Sequence, residues 1–161
     1  MDKKTASQAP LSTTSFSLSQ KISVLLLLLL ASEFLLGMYS NLYVTIPKYF
    51  SNSGSFLGMG NMMMGPMGSL NPVFITHMMM GPIIIGISLV SVVLAFISRN
   101  RVDTVFTAIG FLSVIVSGWA GLAFLGNSQN SYSLTMASGF LISFIAYFSQ
   151  LVWGNKNIVT G

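Results

Sequence analysis

Ile22–Ile46 reads ISVLLLLLLASEFLLGMYSNLYVTI, 25 residues with no basic side chain and one acid, Glu33. As a helix this stretch rises roughly 37 Å, enough to cross a hydrocarbon core of about 30 Å with some tilt. Pro47 closes it, because the residue before a proline avoids the helical region. The apolar run starts late and continues past Leu30 to Ile46, and no small-residue cleavage pattern follows the leucines. The reading is therefore an uncleaved anchor helix, not a signal peptide.

Three more stretches share this character. Asn71 and Pro72 form a helix start, with Asn as N-cap and Pro in the first position, and a span follows over 72–98. Pro82 stands inside it and cannot donate to the carbonyl of Met78, which predicts a kink. The polar turn Arg99–Asp103 leads to a span over 104–125, and an uncharged turn leads to one over 132–153. Charged residues are 6% of the chain against about 25% in a typical soluble domain. A soluble protein could not cover its surface with so few charges. The fold class is thus all-α: a polytopic membrane protein with a four-transmembrane-helix bundle. The domains are a polar, mobile tail over 1–20, the membrane domain over 21–154 and a short C-terminal tail over 155–161.

Lys3, Lys4, Lys21, Arg99, Arg101 and Lys156 fall on one side of this topology and Lys48 on the other. The bias of cations toward the cytoplasm places both termini there, in a multi-pass protein of the cell membrane. The loop after the first span is then extracytoplasmic. Scattered over loops and tails, the cations form no nucleic-acid patch. The chain has no cysteine, which excludes disulfides and thiolate chemistry.

Helices associate in lipid through small residues and hydrogen bonds. Ser113, Ser117 and Gly121 make such a stripe on the third span, Gly139 and Ser143 a pair on the fourth, and Ser91 and Ala95 a pair on the second. On the first span Glu33, Gly37, Asn41 and Thr45 recur every four residues, a face that is polar instead. An acid inside a membrane is costly, so Glu33 should face the bundle or a water-filled cavity. It reads either as a proton-carrying or ligand-contacting group or as a packing residue bonded to Ser113 or Ser117. Counted from the span ends, His77 and Asn41 lie at one depth and can meet. Glu33 lies roughly 12 Å deeper, out of direct reach.

Met59, Met62, Met63, Met64 and Met67 fill the first loop, and Met78, Met79 and Met80 follow His77. Thioethers and imidazole suit copper, so Met59, Met62, Met63, Met64, Met67, His77, Met78 and Met80 are candidate metal ligands. Equally, methionine is an adaptable gap-filler, and three consecutive methionines on a helix point in different directions. His77 is also a candidate haem ligand, with His/Met ligation or a haem shared between two copies, since there is no second histidine. No paired carboxylates, nucleophile elbow or phosphate loop is present, so no catalytic residue is assigned.

Three functions follow as expectations. The first is a non-enzymatic accessory or assembly subunit of a larger membrane complex, partnered by lipid and by other membrane subunits or further copies of itself. The second is an extracytoplasmic copper- or haem-binding protein. The third is a small transporter or proton pathway using Glu33.

The segment Phe34–Pro47, His77 ahead of an apolar helix with Gly86, Gly118–Phe124, and Ser133–Ala137 with Tyr147 together resemble a family of small four-span membrane proteins of bacteria and archaea. The likeness covers about residues 30–150. It implies a four-helix fold and a membrane location only, and leaves Asn41 and His77 as the better candidates for a common role.

Overall fold

A computed structural model describes residues 17–44, 71–127 and 129–154. Four helices run in sequence: α1 Leu18–Tyr43, α2 Pro72–Ser98, α3 Arg101–Asn127 and α4 Asn130–Trp153. All four are long and apolar enough to cross a membrane, and there is no strand among the described residues. The Met59–Met67 loop, residues 1–16 and 155–161 of the expected tails, Thr45, Pro47 and Lys48 lie outside the described residues.

Local chemistry sets the ends. Ser17 caps α1 through a reciprocal box: its hydroxyl accepts from the Gln20 amide, and the Gln20 side chain accepts from the Ser17 amide. The helix therefore starts inside the segment expected to be a tail. It stops at Tyr43, with Val44 extended, three residues before the expected end at Ile46. Asn71 caps α2 by accepting from the Val73 amide at 2.9 Å, and the helix continues through Pro82. Arg99 ends α2 in the left-handed region at φ 55°. Asn100 then accepts from the Val102 amide at 3.1 Å, so Arg101–Asp103 are the first turn of α3 and not a turn before it.

Neighbouring pairs are α1–α2, α2–α3, α3–α4 and α4–α1; the diagonal pairs approach only through side chains at the axis. The bundle is thus a square, with its axis between the four helices. Its polarity is inverted relative to a soluble protein. Leucines and phenylalanines such as Leu28, Phe96 and Leu141 point outward, while more of the buried side chains are polar than apolar. Outward apolar groups suit lipid, and inward polar groups are what helices in lipid use to find each other.

The buried positions of α1 include Ser23, Leu26, Leu30, Glu33, Gly37 and Ser40, alternating steps of three and four. In α2 the buried positions Phe74, Ile84, Ser88, Ser91 and Ala95 keep the same register. An average of 3.5 is the repeat of a left-handed supercoil.

Small residues close the α3–α4 interface as their spacing predicts. Gly139 lies so near Ser117 and the Ser113 carbonyl that a side chain there would collide, and Gly121 lies under the Met136 sulfur. The Ser117 hydroxyl donates to the Met136 carbonyl at 2.8 Å. Tyr147 of α4 lies flat against Gly110 of α3, where an added Cβ would fall 2.7 Å from its ring. Its hydroxyl reaches toward Ser88 on the diagonal helix α2.

Candidate functional site

Glu33 and His77 meet. His77 Nδ1 lies 2.8 Å from Glu33 Oε1, with the glutamate side chain 3% and the histidine 18% exposed. This corrects the expected depth separation. Because α1 ends at Tyr43, each of its residues sits about 4.5 Å nearer that end than a count from Ile46 gives. Gly37 then comes level with His77, and the imidazole rests on it, with Cε1 3.0 Å from where a Cβ would be. Glu33 is one turn further along, about 6 Å, a distance its own side chain spans. A glycine at 37 is what allows this: any side chain there would push the ring away from α1.

Asn41 is exposed, and no described hydrogen bond joins it to His77. The reason is rotational. Each step of four residues advances 40° beyond a full turn, so Asn41 has rotated about 80° from Glu33. Ser40 takes the buried position instead. Nor does Glu33 pair with Ser113 or Ser117, since the Ser117 hydroxyl is committed to the Met136 carbonyl.

The pair sits on the wall of a cavity of about 400 Å³ to which all four helices contribute. Gly37, Gly81, Gly118 and Gly121 leave the space, and Phe74, Ile84, Val114, Trp119 and Phe140 give it an apolar surface. Polar groups on the wall are few: Glu33, Ser40, Asn41, His77 and Ser117. Three of them have an unsatisfied atom. Glu33 Oε2 and the Ser40 hydroxyl are buried with no hydrogen-bond partner among the described residues, and the 2.8 Å approach of His77 is not aligned as a hydrogen bond. A buried polar atom without a partner costs about 1–3 kcal/mol, so three in one cavity mark a place that a ligand or water completes.

Of the methionines expected as metal ligands, Met78 lines the cavity beside His77, Met79 points outward and Met80 is half-buried. Met59, Met62, Met63, Met64 and Met67 lie outside the described residues. Among the described residues no three His, Cys, Asp or Glu side chains gather as a metal cluster.

A second polar group, not expected from the sequence, lies at the opposite end. Ser23 donates to Gln150 Oε1 and Gln150 Nε2 donates to Ser19, each at 2.7 Å, clamping α1 to α4. Asn100 Nδ2 donates to the Gly154 carbonyl at 3.2 Å and ties the α2–α3 turn to the end of α4. A glutamine inside an apolar span was the available signal.

No family model, curated protein or solved structure matches the chain.

Proposed function

We propose that the protein binds a small, mainly apolar molecule bearing one hydrogen-bond donor, such as a hydroxyl or amine, and that it does so within the membrane. The observation that carries this reading is Glu33: a buried carboxyl with a free oxygen, on the wall of an otherwise apolar cavity of about 400 Å³. Binding sites for small molecules have this volume and this make-up, apolar walls with a few placed polar groups. An ionisable group inside a membrane span is functional by default. His77 holds one carboxyl oxygen and leaves the other to the ligand, while the aromatic walls take up its body. The cation bias of the sequence supports an extracytoplasmic position for the cavity. The same bundle is compatible with an accessory subunit, but that role does not require an acid–imidazole pair beside open space.

The test uses 1-aminoanthracene, an apolar tricycle with an amine, and anthracene, which lacks it. With purified protein in nanodiscs, the amine should bind at least tenfold tighter than anthracene. Leaving a buried oxygen such as Glu33 Oε2 without a partner costs about 1–3 kcal/mol, which sets that scale. Glu33→Leu should remove the preference. Equal affinity of the two probes for the unaltered protein would refute the reading.

The same pair supports a second reading as a metal or haem site. Metal-bound histidines usually carry a carboxylate on the other ring nitrogen, as Glu33 stands to His77 Nδ1. Nε2 has no hydrogen-bond partner among the described residues, and Met78 is on the same wall. Copper or haem retained through purification and lost in His77→Phe would favour it.

A further inference from the structure

We infer that the ligand of this cavity comes from the lipid phase, through a portal in the seam between α2 and α3. This deepens the binding reading above and rests on it. The cavity wall includes residues that are also on the outside of the bundle. Trp119 is 61% and Ile115 39% exposed, and Pro82 and Gly118 are exposed too. These four belong to α2 or α3; Asn41, the other exposed residue of the wall, stands at the Tyr43 end of α1, away from the depth of this seam. A wall residue that is also on the exterior means that the cavity and the exterior join there.

The seam has a chemical reason to be thin. Gly118 has no side chain, and a Cβ built on it would meet only the tip of Ile85, at 3.7 Å. That is ordinary contact across the two helices, with nothing else behind it. Compare the α3–α4 seam, where the glycine at 139 is already in collision range of Ser117. One interface is filled to the backbone and the other is bridged by one flexible side chain. Pro82 adds to this, since it forms no helical hydrogen bond to the Met78 carbonyl and α2 is less tightly held beside the gap.

The portal lies well within the spans. Gly118 is 17 residues from Arg101 and nine from Asn127, so it sits about 13 Å from the nearer end of α3. An opening at that depth, flanked by outward-facing Ile115 and Trp119, faces hydrocarbon. The class of ligand follows: a solute that partitions into the bilayer and moves sideways into the protein, its donor group led to Glu33 on the far wall.

The experiment is stopped-flow binding of 1-aminoanthracene to the full chain in nanodiscs, read by probe fluorescence. Gly118→Phe places a ring in the seam, and the ordinary contact at its Cβ keeps the backbone undisturbed. Association and dissociation should both slow by at least tenfold, each by more than Kd changes, because a gate alters the barrier more than the end states. Ile115→Ala should speed both. Rates unchanged in both variants, or a change confined to Kd, would each overturn the inference. Failure of the binding reading is separate: it appears as loss of the amine preference, whatever the rates do.

Discussion

The two ends of this bundle are built from the same kind of helix and treat buried polarity in opposite ways. At the Arg99 end, Gln150 is satisfied on both its oxygen and its nitrogen by Ser19 and Ser23, and Asn100 is bonded to Gly154. Tyr147 fills the middle so fully that Gly110 cannot carry a methyl group; its hydroxyl and those of Ser88 and Ser91 also lack an aligned partner there, but none of the three is on the cavity wall. At the Asn71 end, Glu33 and Ser40 hold unpartnered atoms beside about 400 Å³ of space. Polar groups that complete each other hold helices together. Polar groups left incomplete beside a cavity are kept for something else. The contrast separates structure from function more sharply than residue type does, since Gln150 and Glu33 are both lone polar residues in apolar spans.

Three substitutions test that division. The largest effect is expected at Gly110→Ala. Its Cβ would lie 2.7–3.1 Å from three ring atoms of Tyr147, which is buried and has nowhere to move. Overpacking of this kind costs about 1–3 kcal/mol, and thermal unfolding in detergent should show it as a marked drop in Tm. Next comes Gln150→Leu, which removes both bonds between α4 and α1, leaves the Ser23 hydroxyl only the Ser19 carbonyl of its own helix, and should cost roughly 1–2 kcal/mol by the same measurement. If it were neutral, the clamp between α1 and α4 would not be structural.

The smallest effect on stability is expected from the double variant Glu33→Leu with His77→Phe. Replacing a buried pair by apolar groups of similar size is often neutral or stabilising, by about 1–4 kcal/mol, whereas removing one partner alone is costly. The double variant should therefore keep or raise Tm while losing the preference for the amine probe. A fall as large as that of Gly110→Ala would make the pair a packing device and erase the contrast between the ends.

Much of this architecture is legible in the sequence, because four apolar runs and the lack of charge leave few alternatives. The α3–α4 seam is legible too, since small residues four apart announce close approach. The site was harder, for geometric reasons. Glu33 and His77 are each conspicuous, but their meeting depends on where α1 stops. Val44 and Thr45 are apolar enough to continue a helix on paper. Asn41 fits a four-residue stripe on the wrong period, and only the 3.5 repeat shows that Ser40 is the inward residue. The start of α1 was readable and missed: Ser17 and Gln20 have the spacing of a capping box, but sit in a segment whose composition suggests a tail. What the cavity holds is not written in either residue's identity, since it depends on the space that four glycines leave between helices.

The steps of three and four that place Ser23, Leu30 and Gly37 seven apart make the molecule tolerant of some lengths and not others. One residue inserted in α1 before Glu33 turns everything beyond it by 100°, and the carboxyl would swing into lipid. A whole seven-residue unit would instead carry the carboxyl about 10 Å along the axis and return it to the same face. Chains of this architecture can therefore change thickness, to suit a thinner or thicker bilayer, only in whole repeats. The depth of the acid–imidazole pair is in that sense a discrete quantity, and shifts in matched units on α1 and α2 would move the site without dismantling it.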